Sequence, residues 1–325
     1  MRHSWAADRA AGLAMGVLAD RLLGDPQRFH PVAGFGTLAH RAEQAGYRDT
    51  RARGTVHWLV LVGGTAGAAC LVELVLARHG TPRLARIGWT AGATWATLGG
   101  TSLARVGARM AAHLEADDLD AARALLPSLC GRDPALLDLA GIARATVESI
   151  AENTSDATIG PLVWVGLLGA PGALAYRAIN TLDAMVGYRS ERYERFGWFS
   201  ARADDVANLL PARCCGAITV AAAPLVGGSP AVAWRSWRRD ARSHPSPNAG
   251  VAEASAAGAL GIRLGGTTRY RHGTEERPGL GEGPPPGVVD VRRAARLSRC
   301  VQAGAAALVV LAVVAVPVGK HIARA

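Results

Sequence analysis

Residues 148 to 156 read ESIAENTSD. Glu148, Glu152 and Asp156 recur every four residues, and Asn153 adds an amide oxygen. On an α-helix this spacing predicts three carboxylates along one face. Like charges so placed repel, so a metal ion, a cationic group or solvent must offset them. Carboxylates with an amide oxygen are hard ligands of the kind Mg²⁺ takes. The bland alternative is a solvated helix face paired with some of the many arginines. The stretch that follows, from Thr158 to Tyr176, carries no charge.

Three further groups could do chemistry. Asn180 and Asp183 are i, i+3 neighbours, and Tyr188, Arg189, Arg192 and Tyr193 follow them. Guanidinium forks bind carboxylate or phosphate, although Tyr, Trp and Arg also gather where a helix leaves a membrane. Asp204, Asp205 and Asn208 share about one helical turn before the apolar run at Leu209, with Arg213 inside that run. Ionisable groups at membrane depth are costly and usually functional. Ser246 and Asn248 belong to a turn or cap ahead of a small-residue helix that contains Glu253. His30, among the breakers of GDPQRFHPV, is a candidate proton donor, whereas His244 reads as structural.

These groups need a scaffold that holds charge beside apolar surface. Hydrophobic residues make up 50% of the 325, charged residues 19% and aromatics 5%. The apolar share is mostly Ala, Val, Leu and Gly, which suits close-packed membrane helices. Runs 56–77, 87–106 and 301–319 are long enough to cross about 30 Å of hydrocarbon. Run 10–24 is marginal because it holds Asp20 and Arg21. Run 158–176 contains Pro161, Gly169, Pro171 and Gly172, so a broken helix is predicted there. Run 209–226, interrupted by Pro211 and Arg213, reads as re-entrant or interfacial. The expected fold is therefore all-α: a polytopic integral membrane protein with about four to six apolar helical segments. Some segments are broken or re-entrant, and sizeable polar loops face the cytoplasm. The chain reads as one domain, 1–325. Within it, N-terminal spans reach residue 106, and polar helices with the motif core cover 107–213. A motif segment with a basic loop covers 214–300, and a C-terminal span covers 301–319.

Charge narrows the function classes. The net charge is +10, and Lys320 is the only lysine. A P-loop, a protein kinase and a Schiff-base enzyme each need a lysine that is absent. Arginine is spread over all polar stretches with no nucleic-acid signature, which points to lipid headgroups or an anionic substrate instead. Twelve arginines between 234 and 300 predict a cytoplasmic face for that stretch. Five cysteines without a CxxC pair argue against a disulfide framework or a zinc site. The first apolar run, broken by Arg9, Asp20 and Arg21, does not read as a cleavable signal peptide.

Four stretches occur in a telling order: GDPQRFHPV, RATVESIAENTSDATIGPL, AYRAINTLDAMVGYRSERYERFGWFSARADDVANLLPAR and SPNAGVAEASAAGALGIRLGG. Together they resemble the CobD/CbiB family of membrane-bound cobalamin-biosynthesis proteins over nearly the whole chain. The resemblance implies an adenosylcobinamide-phosphate synthase, a carbon–nitrogen ligase of the cell membrane. Such an enzyme joins a propionate of (adenosyl)cobyric acid to (R)-1-amino-2-propanol or its phosphate. A carboxylate is a poor electrophile, and the family reaction implies ATP and Mg²⁺ to activate it, although no nucleotide fingerprint is present. On this reading Glu148, Glu152, Asn153 and Asp156 are catalytic, and Glu148, Glu152 and Asp156 hold Mg²⁺ or the substrate ammonium. His30, Asn180, Asp183, Tyr188, Arg189, Tyr193, Asp204, Asp205, Asn208, Arg213, Ser246, Asn248 and Glu253 would bind substrate. Membrane lipid and other membrane enzymes of late cobalamin assembly are the implied partners, and nucleic acid is not. Broken apolar segments with acidic and amide groups also fit a transporter or sensor of an anionic ligand, or a non-catalytic scaffold. Neither of those forms a new amide.

Overall fold

The computed structural model describes residues 2–25, 30–78, 81–270 and 273–315. Its helices are, in chain order, α1 (Arg2–Leu23), α2 (Pro31–Gly46), α3 (Arg51–Leu76), α4 (Arg83–Thr97), α5 (Gly100–Glu115), α6 (Leu119–Leu125), α7 (Leu139–Thr154), α8 (Gly160–Leu182), α9 (Trp198–Ala207), α10 (Leu209–Ala222), α11 (Pro230–Asp240), α12 (Ala249–Leu260) and α13 (Val288–Ala315). Two strands, β1 (Leu264–Tyr270) and β2 (Gly273–Leu280), stand between α12 and α13. Two π-helical turns, Ser155–Ile159 and Asp183–Gly187, adjoin α8.

Four helical runs among the described residues are long and apolar enough to cross a membrane: Arg51–Leu76, Leu139–Gly187, Leu209–Val226 and Val288–Ala315. The expected all-α membrane architecture is present, with one hairpin as its exception. Details differ. The run 87–106 is no span, because Leu98 is extended (φ −79°, ψ 151°) and separates α4 from α5. The glycine pair Gly99–Gly100 that follows is a poor helix former. The run at Leu209 continues as helix through Pro211, which sits in the first turn, where no helical hydrogen bond is lost. The predicted break in 158–176 falls at Gly169, whose φ of 71° only glycine adopts cheaply. Residues 316–319 of the C-terminal run, and 26–29 of GDPQRFHPV, lie outside the described residues.

The chain divides into two compact units. The first comprises residues 1–98, 160–208 and 306–325. Here α1 packs along α4. Gly12 and Gly16, four residues apart, face Thr90 and Thr94 so closely that no side chain fits between. The buried Asp8 of α1 accepts from Arg83 Nε at 2.8 Å and from Arg86 Nε and Nη2 at 3.0 and 2.8 Å. Its two arginines outweigh the effect of burial and hold the carboxyl below its ordinary range. A small apolar core gathers Ala39, Leu61, Val62, Ala178 and Leu182 from α2, α3 and α8.

The second unit comprises residues 99–159 and 209–305. Its centre is α12, AGVAEASAAGAL, in which every residue is buried. Small side chains let α7, α10 and α11 pack directly on it. The basic stretch expected as loop is mostly regular structure: α11, α12, the hairpin and the start of α13. In the hairpin, Leu264 pairs with Leu280 and Thr267 with Glu276, with an irregularity between Leu264 and Gly266.

The α3 helix gives an internal comparison. A Cβ on Gly54 would lie 1.7 Å from the Phe196 carbonyl oxygen, whereas one on Gly63 would meet nothing within 4 Å. Gly54→Ala should destabilise the protein by about 1–3 kcal/mol through overpacking. Gly63→Ala should be neutral or gain up to about 1 kcal/mol from helix propensity. Thermal unfolding in detergent measures both, and equal melting of the two variants would contradict the packing.

Candidate active site

The second unit buries a cluster of charge around Glu148 and Glu253. Glu148 is 2% exposed, Glu253 1%, Arg132 6% and His244 8%. Residues on α7 and α12 supply the carboxylates, because these helices pack against each other. The cations come from elsewhere. Arg132, ahead of a short 3-10 turn, donates through Nη2 to Glu148 Oε2. Arg277, on β2, brings Nη1 to 4.0 Å from Glu253 Oε1. The other Glu148 oxygen accepts from the backbone N–H of Gly265 at 2.8 Å. Gly265 has φ of 83°, so this turn of backbone toward Glu148 is open to glycine. Arg144 of α7 fixes the same strand by donating to the carbonyls of Gly265 and Thr267 at 2.7 and 2.6 Å. Glu152 is partly exposed and lies on the same α7 face as Glu148.

His244 faces Glu253, with Nε2 3.8 Å from Oε1. Its Nδ1 accepts from Ser246 N at 3.1 Å, and its Nε2 has no hydrogen bond of its own. Burial lowers the His244 pKa, so the neutral ring is favoured. Burial pushes the Glu253 carboxyl well above the ordinary carboxylate range, and the charges of Glu148 and Glu152 add to the rise. Arg277 and Arg132 oppose it. The loop before α12 is fixed by Ser246 Oγ, which accepts from Asn248 N and Ala249 N at 3.3 and 3.2 Å. Arg213 of α10 donates to Asn248 Oδ1 at 2.6 Å and to Leu209 O at 3.2 Å.

The acidic face is built from more than the α7 stripe. Asp156 lies just past the end of α7, in the π turn Ser155–Ile159. It is within electrostatic reach of Cys215 on α10. The carboxylate that joins Glu148 and Glu152 is Glu253, distant in sequence. Asn153 turns its amide back on α7, donating to Ser149 O at 2.9 Å. Nor do the carboxylates lie bare: Glu148 is taken by Arg132 and Gly265. Among the described residues, no three His, Cys, Asp or Glu groups converge to hold a metal ion. The donors present do not form a Mg²⁺ cage, and no step below is routed through a metal.

The remaining expected residues fall in the first unit, and several of them belong to two hydrogen-bonded groups. In one, Tyr176 donates to Asn208 Oδ1 at 2.7 Å. Asn208 Nδ2 donates to Asp204 Oδ2 at 2.9 Å, and Asn180 Nδ2 to Asp204 Oδ1 at 3.4 Å. Asp205 pairs with Arg202 at 3.7 Å, and burial raises its pKa. In the other, Glu43 Oε1 accepts from Arg192 Nη2 and Tyr193 Oη at 2.8 and 3.0 Å. Tyr193 is thereby committed to Glu43. Tyr188 is exposed and meets the Tyr193 ring edge-on at 5.2 Å, and Arg189 is exposed. Asp183 begins a π turn and lies over the Gly187 α-carbon. His30 caps α2, its Nδ1 accepting from Val32 N at 3.1 Å.

Sequence reasoning missed Arg132, Arg277, Arg144 and Glu43 as site-builders, and read His244 as merely structural. Arg144 stood inside a quoted motif. For Arg277 the only signal was a basic stretch, and nothing marked Glu43 as buried.

The CobD/Cbib protein family model matches residues 13–298. A cobalamin biosynthesis protein CobD of Mycobacterium tuberculosis (strain CDC 1551 / Oshkosh) is 56% identical over 305 residues, spanning 94% of this chain and 96% of the relative. The CobD of Chromobacterium violaceum is 44% identical, spanning 88% and 90%. A CobD of Rhodobacter capsulatus is 41% identical, spanning 91% and 94%. No solved structure matches the chain.

Breaking a buried ion pair from one side leaves a charge without compensation, at a cost of about 3–5 kcal/mol. Arg132→Gln should therefore destabilise the protein strongly, and Arg132→Gln with Glu148→Gln should recover much of the loss. Unfolding midpoints of the two single variants and the double variant measure the coupling. Additive losses would contradict a direct pair.

Proposed function

We propose that this chain, which belongs to the CobD/CbiB family, forms an amide between a corrinoid propionate and (R)-1-amino-2-propanol or its phosphate. The role in cobalamin biosynthesis follows from the family; the reaction is the reading its buried charge supports best. One observation carries it. The cluster sets Glu148, Glu152 and Glu253 against Arg132 and Arg277, with His244 favoured neutral. One negative charge is left in excess, and burial makes that excess costly. Either a proton on Glu253 or an incoming cation must offset it. An aminoalcohol arrives as a small ammonium ion and satisfies that demand.

An ammonium is not a nucleophile until it loses a proton. Glu152, partly exposed, is the group that meets it. Glu253, held in a setting that favours the protonated form, is suited to take the proton. Arg132 and Gly265 hold Glu148 in place beside them. The amide bond forms as the amine nitrogen attacks the propionate carbonyl carbon, and one carboxylate oxygen leaves. In this reading that oxygen departs on phosphate derived from ATP, so phosphate release matches amide formation one for one. The enzyme is then a carbon–nitrogen ligase of the cell membrane, with the second unit's site on the cytoplasmic side.

Glu253→Gln should lower kcat about 10²–10⁴-fold, the usual worth of a placed acid or base. Glu115→Gln should be near neutral, because Glu115 pairs with Arg292 at the surface. Turnover of cobyric acid by expression-matched protein in nanodiscs decides this, and an active Glu253→Gln variant would remove Glu253 from the mechanism.

A proton acceptor works deprotonated, so kcat/KM should rise as pH rises through the elevated pKa of Glu253. Glu152 is one of the charges that elevate it. Glu152→Gln should therefore move the acid limb of the residual activity to lower pH and raise KM for the amine. An acid limb that stays in place would refute the coupling.

Orientation has its own test. Gly287 is exposed, at the edge of the arginine-rich stretch. Gly287→Cys, in a background without native cysteines, should react with an impermeant maleimide only after cells are permeabilised. Labelling in intact cells would reverse the orientation.

A further inference from the structure

A second feature of the same unit plays no part in the proton transfer. A cavity of about 440 Å³ opens between α10, α11 and the loop before α12. Arg213, Arg238 and Arg242 line it, with Trp234, Trp237 and His244. No carboxylate is among its lining residues. Its volume falls in the range of about 300–1,000 Å³ typical of small-molecule sites.

The walls are built rather than accidental. Arg213 is held by Asn248 Oδ1 at 2.6 Å, so its remaining donors are aimed by a fixed stem. Trp237 and Trp234 meet edge to face at 5.1 Å, and the Arg238 guanidinium stacks over Trp234 at 5.6 Å. Among the described residues neither Arg238 nor Arg242 makes an ion pair with a carboxylate. Three guanidinium groups around one cavity repel each other, and an anion between them relieves that repulsion. Guanidinium forks match phosphate oxygens bidentately, and Trp faces accept a flat or apolar body. His244 connects the two features, since it lines this cavity and faces Glu253 at 3.8 Å.

We propose that this cavity is a phosphoryl-group site, with Arg213, Arg238 and Arg242 on the phosphate oxygens and Trp237 against the body that carries them. The phosphate belongs either to a soluble ester or polyphosphate or to an anionic lipid headgroup. The inference rests on the proposed reaction only in giving a soluble phosphate a use beside Glu253.

Binding separates the cavity from the chemistry. Inorganic pyrophosphate is titrated calorimetrically into full-length protein in phosphatidylcholine nanodiscs, and again in discs containing phosphatidic acid. Saturable binding is expected in the first, weakened about a hundredfold by Arg238→Gln with Arg242→Gln, as two charge-assisted contacts are lost. Arg235→Gln, on the same helix but off the cavity, should bind within about twofold of the parent. If phosphatidic acid abolishes pyrophosphate binding, the site is phosphoryl-specific and its occupant is lipid. If binding persists there, the occupant is soluble. No binding in phosphatidylcholine, or binding unchanged by the double substitution, overturns the proposal. Amide formation is followed separately: turnover without pyrophosphate binding removes the cavity and leaves the reaction, and binding without turnover does the reverse.

Discussion

Glu253 sits at the middle of a helix in which every residue is buried, and much of the second unit follows from that placement. A carboxylate cannot occupy such a position alone. Its helix is mostly Ala and Gly and carries no cation, so compensation must come from outside. The hairpin brings Arg277 from β2 and the backbone of Gly265 from β1. The turn before α7 brings Arg132. The same narrow side chains that deny Glu253 a local partner let α7 approach closely enough to add Glu148. Small-residue packing and buried charge are thus one arrangement, seen from two sides.

The sequence made part of this legible. Hydropathy located the spans at 56–77 and 301–319, and proline with glycine located the break near Gly169. The i, i+4 rule found Glu148 and Glu152, because it is local and α7 is regular there. Asp156 stands beyond the regular part of α7, in a π turn that leaves no simple signature in side-chain type. Glu253 was visible as a carboxylate in a small-residue helix, but not as a neighbour of Glu148. Arg132 and Arg277 were lost among thirty-five arginines of similar appearance, because tertiary packing alone selects among them. The hairpin was hidden by glycines and prolines that read equally well as loop.

Chemistry and location fit together in this fold. A polar reaction beside a membrane needs charged groups that stay dry and fixed, and a water-filled cleft would screen them. Burial under α12 supplies that setting. The arginine-lined cavity and Glu253 share His244, so in the proposed reading an anionic group and an ammonium group are received beside the same side chain. That proximity suits the proposed joining of two charged reactants.

The reach of Glu148 across the chain also bears on how the protein is made. Its second partner, the Gly265 amide, lies 117 residues further on, and Arg277 and Glu253 are likewise late. During synthesis α7 leaves the ribosome and meets the membrane well before the hairpin exists. Of the groups that contact Glu148, only Arg132 precedes it in the chain. Until α12 and the hairpin have been translated, Glu148 lacks Gly265 and its neighbours Glu253 and Arg277, so the cluster cannot close before residue 277 has been made.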